Sequence, residues 1–226
     1  MATLAGRTAR STLPPGDTPG AGIRQLTDYG SSPDGLSRAG AEAAWRAITA
    51  PLAGTPHVRI SRDGGRTYPA RHARPLPAGP PGQPCTVPVY DPGTGTGRML
   101  ALDLDPARGR GAAGPAGQVS AQADAIMRLV ARLDGRCVTD RAPGGGRHVY
   151  VLFTAALPWR ELRDLARAVA LRFPAVDVAP MSSLGGQISP PGSRHKSGGW
   201  RALAGPVQDA RAAAGQPNGP EVWNGL

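Results

Sequence analysis

Lysine is almost missing from this 226-residue chain: Arg supplies the basic charge, and Lys196 is the only Lys. Aromatic residues make up 4% against 40% for all hydrophobic types, so a core must be built mainly from Ala, Leu and Val. The two cysteines, Cys85 and Cys137, form no CxxC. That excludes a zinc ribbon and a disulfide framework and fits a reduced, cytoplasmic compartment. No apolar run reaches ~18 residues, so no membrane-spanning helix is expected, and the N-terminus lacks the apolar stretch of a signal peptide. His-x-His is absent as well, which argues against a rolling-circle nuclease or relaxase.

What is abundant is Gly (32) and Pro (25), crowded into residues 1–35, 75–97, 106–117 and 205–226. Residues 1–35 read as a flexible arm and 206–226 as a loose tail. The span 36–205 reads as a single domain, with 36–97 as its N-terminal part and 98–205 as its chemical core. A formal charge of +10 favours a polyanionic partner, and phosphate backbones are the usual one.

Periodicity predicts a helix over 37–50, with Ser37 as cap, Ala41, Ala44, Trp45 and Ile48 on one face, and Pro51 as stop. Residues 57–62 alternate like a strand, Asp63-Gly64-Gly65 signals a hairpin turn, and residues 66–71 return. Strands over 86–90 and 98–104 are joined by a turn, DPGTGTG. A loop over 106–117 leads to a helix over 119–134 that stops at Gly135. Strands over 136–140 and 147–153 flank APGGG. A helix over 158–172 and a short strand over 175–179 follow. From residue 98 the order is β–α–β–β–α–β, which predicts an α+β fold of the RRM-like, split βαβ kind with a mixed or antiparallel sheet and flanking helices.

Five features carry chemistry. Asp103 and Asp105 end an apolar strand two residues apart, so both carboxylates point the same way. Oxygen ligands of this kind suit Mg²⁺ or Mn²⁺, and a pair of such ions clamps in-line displacement at phosphorus. Asp177, a carboxylate within the apolar strand AVDVA, would complete a three-carboxylate metal site; left unpaired and buried it would be costly. His148 follows a glycine run that lets backbone approach a ligand, and can donate to a phosphate; its neighbour Arg147 is a further nucleotide-contact candidate. Residues 190–199, PPGSRHKSGG, make a basic turn in which Ser193, Arg194, His195 and Lys196 suit phosphate binding. Last, Arg59, Arg62, Arg66, Arg71 and Arg74 on the basic hairpin suit a nucleic-acid backbone.

In order, ALDLDP (101–106), GRHVYV (146–151) and VDV (176–178) resemble the motifs of the archaeo-eukaryotic primase superfamily. SPPGSRHKSGGW resembles a stretch of its plasmid- and phage-type primase-polymerases. The polymerase domain of bacterial end-joining ligases is similar too, pairing a DLDP motif with a Gly-x-His strand. The resemblance spans residues 86–204. It implies template-dependent nucleotidyl transfer in replication, with two divalent ions, Mg²⁺ or Mn²⁺, on Asp103, Asp105 and Asp177, and no zinc. It implies triphosphate contacts from His148 and from Arg194, His195 and Lys196. The implied partners are a single-stranded DNA template and NTP or dNTP. No Walker motif follows, so a helicase or replication-initiation protein would be separate. Gly146 stands where the family usually has serine. Two alternatives remain open: a non-catalytic replication-initiation or DNA-binding module, and a repair polymerase of the end-joining type.

Overall fold

Ser37 accepts a hydrogen bond from the Gly40 N–H at 3.2 Å and starts α1 (Arg38–Leu52), whose buried face includes Ala41, Ala44, Trp45 and Ile48. Pro51 lies inside the last turn rather than after it. The computed structural model describes residues 36–108 and 114–226; the expected N-terminal arm lies outside them.

β1 (His57–Ile60) pairs with β2 (Ala73–Pro75), Val58 facing Arg74. The return strand therefore comes later than the expected 66–71. Asp63 explains the delay: its Oδ1 accepts from the N–H groups of Arg66 and Thr67, both at 3.0 Å, so those residues curl around the carboxylate instead of pairing. β3 (Cys85–Pro88) pairs with the other edge of β1. β4 (Thr96–Leu104) belongs to a second sheet, so the turn over 91–95, closed by a single antiparallel bridge between Asp91 and Thr96, leads from one sheet into the other and the expected strand pair goes no further.

α2 (Gly114–Arg132) begins within the expected loop, and its left-handed terminal residue is Asp134 (φ 55°), not Gly135. β5 (Val138–Arg141) and β6 (Arg147–Pro158) form the expected hairpin, with β6 several residues longer. α3 (Trp159–Arg172) follows, then β7 (Val176–Asp177), shorter than expected. β8 (Gln187–Ile188) and β9 (Ala202–Leu203) flank the basic turn.

The result is an α+β fold with two antiparallel sheets, ordered β2-β1-β3-β8 and β7-β4-β6-β5-β9. The unit β4-α2-β5-β6-α3-β7 is the expected split βαβ arrangement, with β4 and β6 central. α2 packs on β6 and α3 on β4. Because β3 of the N-terminal part pairs with β8 of the core, Val87 opposite Ile188, the two expected parts share one sheet. One hydrophobic cluster joins Trp45 and Ile48 to Leu102, Ile126, Val151 and Leu162.

Residues 206–226 are not a loose tail. They form α4 (Val207–Gly215), which packs on α1, and α5 (Pro220–Gly225), and they bury Ala210, Ala213 and Val222. Between them Asn218 is 6% exposed. Its Nδ2 donates to the carbonyls of Arg136 (2.8 Å) and Leu152 (2.7 Å), and its Oδ1 accepts from the Arg136 N–H (2.7 Å). A short side chain replacing Asn218 would orphan the N–H and carbonyl of Arg136, while the Leu152 carbonyl would keep only the Asn218 backbone N–H. Asn218→Ala is therefore expected to cost about 3 kcal/mol and lower Tm by roughly 6–12 °C in thermal unfolding; a tail-like segment would leave Tm unchanged.

Candidate active site

The register of the larger sheet builds the site. Asp103 on β4 lies opposite His148 on β6 and opposite Asp177 on β7, and His148 lies opposite Asp140 on β5. Directly paired residues share a face, so Asp177, Asp103, His148 and Asp140 form a row across four strands. The alternation along β6 puts Val149 and Val151 on the other face.

Within that row His148 is 4% exposed. Its Nε2 stands 3.2 Å from Asp103 Oδ1, and its Nδ1 stands 2.7 Å from the Tyr150 hydroxyl and 3.5 Å from Asp140 Oδ2. Burial and Arg201 press the imidazole towards neutrality; Asp140 and Asp103 outweigh them and hold its pKa above the ordinary value. Burial works to raise the Asp103 pKa, but the charge and hydrogen bond of His148 keep it below the usual carboxylate range. Asp140 is fully buried, and Arg201, 5% exposed, donates to it from Nε (3.1 Å) and Nη2 (2.5 Å). Burial alone would raise Asp140; Arg201 and His148 pull it well below the carboxylate norm.

A cleft of about 620 Å³ opens over Asp103 and His148 at the middle of this row. Asp103, Asp105 and His148 line one side, and Arg194, His195, Lys196 and Arg201 line another. Thr86 and Gln187 of the smaller sheet close it, with Thr86 Oγ1 donating to Gln187 Oε1 at 2.8 Å. Gly65 also lines the cleft, at φ +92°, where a Cβ would come within 2.6 Å of the Lys196 Cβ, so the Asp63 loop can lie against the lysine only with glycine there. On the other side of the basic turn, Gly192 (φ +82°) lets the chain approach α1: a Cβ would sit 2.3 Å from the Ala41 carbonyl oxygen. His195 Nδ1 accepts from the Ser197 N–H at 3.2 Å. Burial, helped by the charges of Arg201 and Lys196, depresses its pKa, so at neutral pH the ring carries its proton on Nε2 and can donate from there.

The remaining expected residues fall elsewhere. Asp177 accepts from the Ala179 N–H through Oδ1 (2.9 Å); it shares the face of Asp103 but is not among the residues lining the cleft. Arg147 is turned away from the cleft and donates to Asp124 Oδ1 of α2 (3.1 Å) and Thr139 Oγ1 (3.2 Å), so the geometry gives it no nucleotide contact. Ser193 is fully buried and also off the cleft. Arg62, Arg66, Arg71 and Arg74 are exposed, while Arg59 is drawn inward, donating to the Gly185 carbonyl at 3.2 Å and Gln187 Oε1 at 3.4 Å. Asp140 and Arg201 escaped sequence reading. Counting outward from the 142–146 turn pairs Asp140 with His148, so the hairpin could have revealed the first; nothing local flags the second.

Among the described residues no three His, Cys, Asp or Glu side chains gather as a complete metal cage. Mg²⁺ commonly takes one or two carboxylates and fills its remaining positions with substrate phosphates and water. Asp103 and Asp105, beside a cationic wall, fit an ion of that kind.

No protein-family model matches the chain, and no curated protein does. Among solved structures, the polymerase domain of Ligase D from Mycobacterium tuberculosis, in complex with DNA, is similar at 17% identity and a TM-score of 0.47, covering 68% of this chain and 74% of that one.

The Asp140–Arg201 pair makes a stability prediction. Arg201→Leu strands a buried carboxylate and is expected to cost about 3–5 kcal/mol at pH 7, whereas Asp140→Asn/Arg201→Leu costs less than Arg201→Leu alone; urea unfolding measures both. The sign with pH follows from a depressed folded pKa. The contribution of Asp140 is complete above the unfolded carboxylate value of about 3.9 and is lost as pH falls below it, so the double variant loses less stability on acidification than the wild type.

Proposed function

We propose that the protein is a metal-dependent nucleotidyltransferase that extends or primes nucleic acid on a single-stranded DNA template. One observation carries this reading: a single cleft unites two adjacent carboxylates, a histidine held between acids, and a cationic turn bearing the chain's only lysine. A triphosphate needs opposite treatment at its two ends. Its phosphate oxygens need donors, and its reacting α-phosphorus needs neutralised charge beside the incoming hydroxyl.

Lys196, Arg194 and the Nε2–H of His195 would take the β- and γ-phosphates, and His148 would donate to the same chain from the sheet floor. Divalent ions, Mg²⁺ or Mn²⁺, held by Asp103 and Asp105, would supply charge stabilisation to the attacking and leaving oxygens; the expected third ligand, Asp177, shares their face but lies outside the cleft and completes no three-carboxylate group with them. The 3′-hydroxyl of a primer, or of an initiating nucleotide, attacks the α-phosphorus, and pyrophosphate leaves. Thr86 and Gln187 face the cleft with polar groups that can orient the sugar or base. Arg62, Arg66, Arg71 and Arg74 would contact the template backbone.

Nucleotide incorporation on a single-stranded template, with and without primer, tests this. Asp103→Ala is expected to lower transfer by about a thousandfold or more, a loss of ~4 kcal/mol of transition-state stabilisation, with circular dichroism unchanged. Near-wild-type transfer in that variant overturns the reading. Salt-sensitive DNA binding without any transfer favours the binding-module alternative.

The template surface has a separate readout. Replacing Arg62, Arg66, Arg71 and Arg74 with Ala should shrink the slope of log K against log [salt] for single-stranded DNA by about 0.7 for each phosphate that is no longer neutralised. An unchanged slope places the template on another surface.

A further inference from the structure

The polar cluster behind His148 is larger than phosphate binding requires. Strand register fixes where the imidazole begins but not how it turns, because the histidine χ2 has two broad wells related by a half-turn. In one well Nδ1 meets the Tyr150 hydroxyl and Nε2 reaches Asp103, at 2.7 and 3.2 Å. In the other, ring carbons take those positions and neither bond forms.

Tyr150 is in a position to choose. Its single hydroxyl proton can go to Asp140 Oδ2 (2.8 Å) or to the Ser189 carbonyl (3.0 Å), both acceptors only. Either way the oxygen's lone pair is left to accept from Nδ1–H. Asp140 remains an acceptor because Arg201 grips it from two nitrogens, and Asp140 also receives the His148 N–H at 3.2 Å. The Tyr150 ring adds an edge contact, with centroids 5.6 Å apart and planes at 89°. Tyr150 and Asp140 are fully buried, and neither lines the cleft, so neither touches substrate.

We propose that Tyr150 and Asp140, with Arg201 as their counter-charge, are positioning residues that fix the His148 ring with Nδ1 on the Tyr150 hydroxyl and Nε2 turned into the cleft. The consequence for catalysis rests on the nucleotide-transfer reading; the fixing of the ring rests on geometry alone. A histidine so fixed keeps its Nε2–H aimed into the cleft, where it bonds Asp103 at 3.2 Å until a phosphate takes over that bond, so the ring itself need not turn on binding.

The test uses Tyr150→Phe, which keeps the ring volume, and Asp140→Asn as a second variant, each first shown to be folded by thermal unfolding. Nitrogen NMR of histidine-labelled full-length protein, with His148 assigned through a His148→Asn variant, reads the ring directly. The expected wild-type signature is a slowly exchanging, hydrogen-bonded Nδ1 proton that disappears in Tyr150→Phe. With dATP and Mg²⁺ on a primed template, KM for dATP is expected to rise about tenfold in that variant, the scale of one hydrogen bond to a charged group, with kcat changing less. An unchanged Nδ1 resonance in both variants overturns the proposal, as does a vanished resonance with an unchanged KM. If the wild type transfers no nucleotide, the functional reading fails, and the resonance alone decides whether the relay fixes the ring.

Discussion

The row Asp103–His148–Asp140 across β4, β6 and β5 sets two carboxylates on either side of one imidazole, with Arg201 closing the far end. Much of the rest of the structure serves to make that row tolerable. Burying charges is costly unless each is paired and its hydrogen bonds are filled, and here nearly every polar atom of Asp140 and His148 has a partner. The pairing in turn depends on a register that cannot slip: one residue of shift would send all these side chains to the helix-covered face. The 142–146 turn and the apolar residues Leu102, Val149 and Val151 on the opposite face hold that register.

The smaller sheet gives the row its second wall. β8 follows the split βαβ unit in sequence but pairs with β3, which precedes it. This pairing brings Thr86, Gln187 and the Asp63 loop over the carboxylates, and Gly65 lets the loop approach Lys196. The cleft is thus a product of topology: carboxylates from β4, imidazole from β6, cations from the 190–201 turn and polar closure from the smaller sheet. Such an arrangement suits a substrate with one strongly anionic end and one end that must be oriented.

Much of this was legible in the chain. The β–α–β–β–α–β order, the apolar face of α1 and the shared direction of Asp103 and Asp105 follow from local pattern and strand geometry, while the meeting of these carboxylates with His148 and the basic turn was implied by the family resemblance. What was not legible depends on long-range partners. DPGTGTG signals a turn whether it closes a hairpin or switches sheets, so the placement of β3 and β4 in different sheets was hidden. VQDARAAA offers only small residues to bury, so α4 read as loose until α1 was there to receive it. Asp140 looked like an ordinary strand-end acid, and Arg201 one arginine among many; only pairing distinguishes them. Arg147 follows the alternation rule to the face of α2, which separates it from its neighbour His148.

Nucleotide transfer in this cleft requires Asp103 and Asp105 to hold a divalent ion beside a bound triphosphate. Anomalous scattering from crystals grown with Mn²⁺ and a non-hydrolysable nucleoside triphosphate is the decisive measurement. The expected result is a manganese peak bonded to both carboxylates, with the phosphates running from it towards His148 and Lys196. Manganese and nucleotide bound elsewhere, with Asp103 still on His148, would contradict it.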